Sequence, residues 1–432
     1  MKKGKGIVLG AICLALTLAV GCVETTEQPA ASDAVQDENT IRFLHIWNEH
    51  EETMEHIVRS IEEQNEDLHV EINTVSWENL NKELSTALAS DDMYDVFFTF
   101  ATYVSSQQKQ GMLLDLDEYV DEEWAQVFQD GALEEYRVDG SLCGLPYRGS
   151  GVVVIYNKDL FQRQDWREPQ SQEEFAALMQ LALNEELIPL SAAGKPDGFQ
   201  LDTLRGIVTN YIAQDVGLLE DPERLTERKT DWQGELAVGA QTVKSWANKG
   251  YFGANPLTVD QNTAMKRFLS GKAAMLLCNT NELYELRRQT SYMPFEMGSF
   301  LVPSLKEGNE LLFSEACFQD GFAIWSGTDQ PELAVALLKG LTSKENSSAF
   351  ASETLSVMAM KDVSCEDEIL QEFNEYFAIA GRYRVAADYA LGDSEDLKAQ
   401  LFVDYMTSEM TADSYETNYE NIIKEAIAAA QR

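Results

Sequence analysis

The chain has 432 residues, and 33 Lys and Arg stand against 73 Asp and Glu, which gives a formal net charge of −40 at pH 7. Binding to nucleic acid requires clustered cations that neutralise phosphates, so this composition argues against a nucleic-acid partner. The part beyond residue 39, about 390 residues, is too long for a single hydrophobic core and indicates two domains.

The first 21 residues have the pattern of a signal peptide. Three lysines lie among the first five residues, and the apolar run at 7–20 is shorter than the roughly 20 residues that span a bilayer. The run ends in Leu-Ala-Val-Gly-Cys at 18–22, which resembles the bacterial lipobox, in which the cysteine is acylated. We therefore predict a signal peptide at 1–21 and a lipid anchor on Cys22, at the outer face of a bacterial cell membrane. Ordinary secretion without acylation is the alternative.

Residues 22–39 are predicted to form a flexible tether. Val23 and Val35 are the only sizeable apolar side chains in this stretch. Such a segment can bury too little surface to offset the entropy that it would lose on ordering. A tether behind an acylated cysteine would hold an extracellular globular body close to the membrane.

Four further cysteines follow, namely Cys143, Cys278, Cys317 and Cys365. Their spacing contains no C-x-x-C pair, which argues against a zinc site and against a dithiol redox centre. We expect small buried thiols. Two disulfides are the alternative in an exported protein.

The N-terminal part of the body alternates strand and helix patterns. Alternating apolar residues predict strands at 41–47 and 68–75, and apolar residues at helical spacing predict helices at 51–64 and 80–88. The apolar run at 96–98 predicts a buried strand. Strands that alternate with helices are typical of a parallel sheet covered by helices, so the first domain is predicted to be α/β.

The rest of the chain continues this α/β pattern. Residues 151–156 predict a buried strand, and the sequence from Ser171 to Glu174 is a capping box that begins a helix. A short strand is predicted at 188–190. Further helices are predicted at 202–214, 236–248, 262–269, 332–342 and 420–430.

Three segments carry the most specific motifs of the chain. The first is Tyr94-Asp95-Val96 followed by GMLLDL at 111–116. The second is DGSLCGLPY at 139–147, which continues into VIYNKDLF at 154–161, and the third is FLSGKAAM at 268–275. In order and spacing they resemble the motifs of the family 1 extracellular solute-binding proteins, a group that includes maltose-binding and multiple-sugar-binding proteins.

The resemblance implies an α/β fold of two lobes, the type II periplasmic-binding-protein-like fold. In such folds the chain crosses between the lobes two or three times, and hinge bending closes the lobes around a ligand in the cleft. The N-terminal lobe is expected to comprise residues 40–146 and about 273–322. The C-terminal lobe is expected to comprise residues 147–272 and about 323–432.

The resemblance also implies that the protein captures a sugar or an oligosaccharide and delivers it to an ABC importer, without catalysis and without a cofactor or a metal. The implied partners are the carbohydrate ligand, the transmembrane permease subunits and their cytoplasmic ATPase. The protein is expected to be a monomer. An acidic sugar is an alternative to a neutral one.

A sugar site needs planar donors and acceptors for the hydroxyls and aromatic faces for the ring C–H groups. The family pattern places such contacts behind strand ends and at the crossings between the lobes. The candidates are Trp47, Asn48 and Glu49, then Thr102 with Thr99 and Tyr103 beside it, then Tyr147, Arg148 and Ser150, then Asn279 and Asn281, and finally Phe318, Gln319 and Asp320.

Several of these residues have a second interpretation. Trp47 could belong to the core, and Arg148 could clamp hydroxyls, pair with the carboxylate of an acidic sugar or form a salt bridge between the lobes. Asn281 stands where the family often has a tryptophan that stacks on sugar. Trp232, in a polar loop, is a candidate replacement, with a wedged surface residue as the alternative.

Three other classes of function fit the sequence less well than a binding protein does. A cell-surface glycoside hydrolase would need two carboxylates held ~5 to 10 Å apart across a glycosidic bond, and the sequence contains no motif for one. A glycan-binding adhesin would not need the crossing motif. A zinc-peptidase helix is not supported, because His50 and His56 are six positions apart, whereas ligands on one helix face are four apart.

Overall fold

The computed structural model describes residues 39–195, 200–215, 235–290, 295–312, 318–379 and 395–430. The predicted signal peptide, Cys22, the tether up to residue 38, Trp232 and Cys317 lie outside the described residues. None of the helices in the described ranges combines the length and the hydropathy of a membrane span.

The described residues form two main β-sheets and a two-stranded ribbon, with helices around them. In chain order the strands are β1 Thr40–His45, β2 His69–Thr74, β3 Val96–Phe100, β4 Arg137–Val138, β5 Ser141–Leu142, β6 Leu145–Arg148, β7 Val152–Asn157, β8 Ile188–Ser191, β9 Ala273–Asn279, β10 Met297–Phe300 and β11 Asp320–Ile324. The α-helices are α1 Glu51–Gln64, α2 Leu80–Ala89, α3 Ala101–Lys109, α4 Glu122–Ala125, α5 Lys158–Gln164, α6 Gln172–Asn184, α7 Gln200–Asp215, α8 Glu235–Asn248, α9 Gln261–Leu269, α10 Leu283–Thr290, α11 Pro331–Leu341, α12 Lys344–Thr354, α13 Glu368–Ile379, α14 Glu395–Thr407 and α15 Ala412–Ala430.

The first sheet has the strand order β2-β1-β3-β11-β6. β1 is parallel to β2 and β3, whereas β11 is antiparallel to β3 and β6. Helix α1 begins and ends where its apolar spacing predicted, and it buries the stripe Met54, Ile57, Val58 and Ile61. The predicted α/β pattern of the N-terminal part is confirmed.

The second sheet has the strand order β10-β7-β9-β8. β7 is antiparallel to both of its neighbours, and β8 is parallel to β9. β7 is apolar on both faces because both are covered: Val152 and Val154 pack in one hydrophobic core, and Val153 and Ile155 pack in the other. This two-sided burial explains the continuous apolar run that predicted a buried strand.

Helix α6 begins at the predicted capping box. The backbone N–H of Glu174 donates to Ser171 Oγ at 3.2 Å, and the Glu174 carboxylate accepts a hydrogen bond from the Gln170 N–H at 2.8 Å. The first bond satisfies a backbone donor that has no partner inside the first turn of the helix, and the second holds the residue before the N-cap against that turn.

The lobe boundaries differ from the prediction at the end of β6, since Tyr147 and Arg148 belong to the N-terminal lobe, and in two larger parts of the chain. β9 lies between β7 and β8, and β10 pairs with β7, so residues 273–300 belong to the C-terminal lobe. β11 lies in the first sheet, and α11 and α12 pack on α1, so these elements belong to the N-terminal lobe. The predicted assignment of both parts was wrong, because an apolar strand sequence does not reveal which sheet the strand joins.

The chain passes between the lobes three times, which is within the predicted number. The first crossing joins β6 to β7, and the second lies between β10 and β11. The third follows Met360, which bridges to Phe128 of the N-terminal lobe, and leads to α13, which packs on β10. The two-lobed α/β fold is therefore the predicted one.

The cysteines in the described ranges are free thiols. Cys143 and Cys278 are buried, and Cys365 is half-buried. The expectation of buried thiols is confirmed for the first two. Burial raises the pKa of Cys143 to about 11, so this thiol is protonated at neutral pH.

Candidate ligand-binding cleft

The first crossing brings the two sheets together at one edge. β6 ends at Arg148 and β7 begins at Val152, so only three residues lie between the sheets. β6 has the same direction as β3, and Val152 pairs with Asn279, the last residue of β9. The carboxyl ends of the parallel strands of both sheets therefore meet at the hinge, which is where open α/β sheets bind ligands.

Arg148 and Asp320 form an ion pair at this edge of the first sheet. They lie opposite each other on β6 and β11, and Arg148 Nη2 and Nε are 2.6 Å and 2.7 Å from Asp320 Oδ2. The side chains are 12% and 5% exposed. The pair joins two strands of the N-terminal lobe, so the alternative of a salt bridge between the lobes is wrong.

Trp47 and Tyr147 lie in the core beneath this ion pair. Trp47 is 4% exposed and Tyr147 is fully buried, with their ring centroids 5.5 Å apart. The Arg148 guanidinium carbon lies 5.3 Å from the centroid of the Trp47 ring, and Phe322 and Phe350 complete the cluster. The expectation that Trp47 and Tyr147 contact the ligand is corrected: both rings fill the core, which was the alternative for Trp47.

The turn after β1 reaches the other lobe. Asn48, Glu49 and His50 form a single 3₁₀ turn, in which Asn48 and Glu49 are exposed and His50 is nearly buried. The His50 ring packs edge-on against Tyr284 of α10, with centroids 4.7 Å apart. Burial is the main cause that lowers the pKa of His50. Asn48 and Glu49 are therefore accessible beside a contact between the lobes.

Ser150, Asn279 and Asn281, three of the candidate ligand contacts, are brought together at the first crossing. Ser150 Oγ donates to Asn279 Oδ1 at 3.1 Å, and the Asn281 N–H donates to the same oxygen at 3.0 Å. The Asn281 side-chain oxygen is buried and has no hydrogen-bond partner among the described residues. These groups join the first crossing to the carboxyl end of β9.

Phe318 packs behind the first crossing rather than on the cleft wall. Its buried ring lies 5.6 Å from that of Phe377 on α13. A Cβ atom on Gly149 would lie 2.6 Å from Phe377 Cε1 and 3.2 Å from Phe318 Cε1. Glycine thus allows the crossing to pass close to both rings, and the expected ligand contact of Phe318 is corrected to packing at the hinge.

Gln319 and Thr102 lie at the start of α3. The Gln319 carbonyl accepts a hydrogen bond from the Ala101 N–H at 2.8 Å, and the neighbouring Thr102 is half-buried. Thr99 is buried and donates to Gln107 Oε1 at 2.7 Å, so its hydroxyl faces the core. Thr102 and Gln319 stay candidates for the cleft, whereas the structure places Thr99 inside the lobe.

Sequence reasoning missed a carboxylate behind β9. Glu282 Oε1 accepts hydrogen bonds from Gln200 Nε2 and Gln261 Nε2, both at 2.9 Å, and the Cys278 thiol lies 3.6 Å from Oε2. Burial raises the pKa of Glu282 to about 7. Its position three residues after Asn279 was the available signal, since polar residues behind a strand end face the ligand edge.

Trp77 was also missed. It begins the single 3₁₀ turn Trp77–Asn79 behind the carboxyl end of β2, and its side chain is 56% exposed. A tryptophan just behind a predicted strand end was the signal that could have identified it.

The accessible groups at the cleft edge are amides, hydroxyls and carboxylates, which can donate to and accept from the hydroxyls of a ligand. In the part of the chain that the structure describes, no group of three or more His, Cys, Asp and Glu side chains is arranged to hold a metal ion.

Residues 47–347 match the family described as bacterial extracellular solute-binding protein. The chain belongs to this family. The solute-binding protein is 21% identical over 314 residues to the multiple sugar-binding protein of Streptococcus mutans serotype c, with 70% of each chain covered. It is 23% identical over 372 residues to the maltodextrin-binding protein MdxE of Bacillus subtilis (strain 168), with 83% of this chain and 81% of the relative covered.

Solved structures show the same fold. A chitin oligosaccharide binding protein superposes on the solute-binding protein with a TM-score of 0.76 at 19% identity, covering 90% of this chain and 99% of that chain. The likeness covers most of this chain. It establishes the two-lobed fold with the cleft at the hinge.

Proposed function

We propose that this solute-binding protein captures a neutral sugar or oligosaccharide between its lobes and releases it unaltered to an ABC permease. The observation that carries the proposal is a cluster of neutral hydrogen-bonding side chains at the hinge, where the strand ends of the two sheets face each other. Ser150 of the first crossing shares this cluster with Asn279 and Asn281 of the C-terminal lobe, and Asn48 is exposed at the strand-end edge of the N-terminal lobe. The names of the relatives, which refer to multiple sugars, maltodextrin and chitin oligosaccharide, support the carbohydrate class.

A neutral ligand fits the charges at the cleft better than an acidic one. The positive charge of Arg148 is balanced by Asp320, at 2.6 Å. Glu49 is exposed on the N-terminal side. A uronate would therefore meet the like charge of Glu49, whereas the guanidinium of Arg148 is already paired, and this arrangement is a repulsive element against acidic sugars.

The location and the partners belong to the same proposal. The family is described as extracellular, which supports a position outside the cytoplasm. We infer an acyl anchor on Cys22, followed by the tether, and delivery to transmembrane permease subunits driven by a cytoplasmic ATPase. A monomer suffices for this role, because each chain has both lobes and the cleft.

A glycan panel tests the proposal. The purified protein is heated with neutral malto-, chito- and raffinose-series sugars and with uronate oligomers, and each mixture is checked for products by chromatography. A binder at 100 times its Kd raises the free energy of unfolding by about 2.7 kcal/mol, which gives a clear rise in Tm. Asn279→Ala should reduce this rise, and Glu66→Gln, at an exposed site in the N-terminal lobe, should leave it unchanged.

The outcomes separate the classes of function. A neutral glycan that raises Tm and is recovered intact supports the proposal. Cleavage of any member would identify a glycoside hydrolase instead. A rise in Tm with uronates alone would show that the ligand is an acidic sugar. The protein would still be a binding protein, but the proposal of a neutral ligand would be wrong.

A further inference from the structure

Trp77 exposes an indole ring on the N-terminal lobe. Among the described residues, the large apolar side chains that are exposed are Trp77, Leu88, Leu181 and Leu397, and Trp77 is the most exposed of them at 56%. An exposed indole at the ligand edge of a sheet offers an aromatic face to a ligand.

Trp77 and Leu88 lie on one helix face. The turn Trp77–Asn79 continues directly into α2, with helical backbone angles at Asn79 and Leu80. Trp77, Asn81, Ser85 and Leu88 follow at spacings of four, four and three residues, which places them on a single stripe. The two exposed apolar side chains of this lobe therefore belong to one surface.

The part of this stripe that follows Trp77, namely Asn81, Ser85 and Leu88, lines one wall of a groove between α2 and α3. The groove has a volume of about 210 Å³ and is lined by Leu84, Leu88 and Met112 together with hydroxyl and amide side chains. None of the described side chains that line it is charged. The polar lining residues are Asn81, Ser85, Tyr103, Ser106, Gln107 and Gln110.

One end of the groove approaches the ligand edge of the first sheet. Phe100 is opposite Asp320 in the first sheet, and its ring centroid lies 5.3 Å from that of Tyr103. Tyr103 is one of the groove residues, so a path of adjacent side chains leads from Asp320 to the groove.

We propose that Trp77 and the groove form an outer subsite for one sugar unit of a longer oligosaccharide whose other end occupies the cleft. The inference rests on the proposed function, because it assigns a further unit of the same ligand. The indole would stack on the C–H face of a sugar ring, and the amides and hydroxyls would bond its hydroxyl groups. The groove is smaller than the ~300 to 1,000 Å³ of pockets for drug-sized ligands, so it has room for a single monosaccharide unit.

The test measures affinity as a function of ligand length. Wild type, Trp77→Ala and Trp77→Phe are titrated calorimetrically with malto- and chito-oligosaccharides of one to six units. Leu181→Ala, which removes an exposed apolar side chain of the C-terminal lobe, is the control. Ser85→Phe, which fills the groove, is a second probe of the same surface.

Trp77→Ala is expected to weaken binding of the longer ligands about 3- to 12-fold, the range for one aromatic contact, and to leave the shortest ligand that binds unchanged. Trp77→Phe should retain most of the affinity, Ser85→Phe should lose it for long ligands, and Leu181→Ala should match the wild type.

Three results would overturn the subsite. Equal loss at every ligand length would show that Trp77 acts on the cleft itself. If the wild type binds and Trp77→Ala has the same affinity at every ligand length, the subsite is rejected and the proposed function is not. The exposed indole would then have another role, such as contact with a protein. A wild type that binds no glycan would reject the proposed function, and the subsite with it.

Discussion

The Arg148 guanidinium lies 2.6 Å from the Asp320 carboxylate, and both side chains are almost excluded from solvent. The charge is therefore balanced before a ligand arrives, and the guanidinium also covers the ring of Trp47. Removal of either partner leaves the other charge buried and unpaired. Such changes cost about 3 to 5 kcal/mol.

Asp320→Asn is accordingly expected to lower the free energy of unfolding by about 3 kcal/mol and to create affinity for uronate oligomers, because Arg148 is then free to pair with their carboxylate. Urea unfolding measures the first effect and calorimetry the second. Asp117→Asn is the matched control, since Asp117 pairs with Arg137 at an exposed site where loss of a pair changes stability by less than about 1 kcal/mol. Equal stability of the Asp320 variant and the control would contradict the prediction.

Two tryptophans that follow neighbouring strands should contribute very differently to stability. Trp47 is buried among aromatic rings, so Trp47→Ala is expected to lower the free energy of unfolding by about 3 to 5 kcal/mol. Trp77 is largely exposed, so Trp77→Ala should change it by no more than about 0.5 kcal/mol. Urea unfolding of both variants under one set of conditions measures the two losses of free energy. Losses of similar size would contradict a buried Trp47 and an exposed Trp77.

The sequence predicted individual helices and strands more accurately than it predicted the lobe to which each strand belongs. Helix α1 could be predicted because Met54, Ile57, Val58 and Ile61 recur at helical spacing, and β7 could be predicted because it begins with four consecutive apolar residues. Both signals depend only on neighbours in the chain. The lobe of β9 depends on pairing with β7 and β8, which are far away in sequence, and its apolar run fits either sheet.

The sequence identified residues that meet at the hinge but not the direction in which each side chain points. Ser150, Asn279 and Asn281 meet because short segments behind strand ends fix them at the hinge. Trp47 lies just behind β1 and Tyr147 lies near the end of β6, yet their rings point into the core. Which way a side chain points at a strand end depends on pairing register and on distant rings such as Phe350, and neither can be read from local sequence.

Gly149→Ala is expected to lower the free energy of unfolding by about 1 to 3 kcal/mol, because the new methyl group would lie 2.6 Å from Phe377 Cε1. Phe377→Leu should relieve part of this loss, because the smaller side chain leaves room at the crossing. Unfolding of the two single variants and the double variant gives a coupling energy, expected to exceed about 0.5 kcal/mol. Strictly additive losses would show that Gly149 does not pack against this ring.

Glu282 should make stability depend on pH. Burial raises the pKa of its carboxyl from the ordinary 4.5 to about 7 in the folded protein. Below pH 4.5 the group is protonated in both the folded and the unfolded chain, so the stabilisation is fully present. Between 4.5 and 7 the unfolded chain releases the proton and the folded chain keeps it, so stability falls as pH rises through this window.

The expected loss is on the order of 2 kcal/mol across the window, since each pKa unit corresponds to about 1.36 kcal/mol and the site is partly accessible. Urea unfolding at intervals from about pH 4 to about pH 8 measures it as the difference between the wild type and Glu282→Gln. Glu66→Gln, at an exposed carboxylate, serves as the control and should follow the wild type. Parallel curves for the wild type and Glu282→Gln would show that this carboxyl does not carry the pH dependence, and the hydrogen bonds from Gln200 and Gln261 would then be sufficient to keep it ionised.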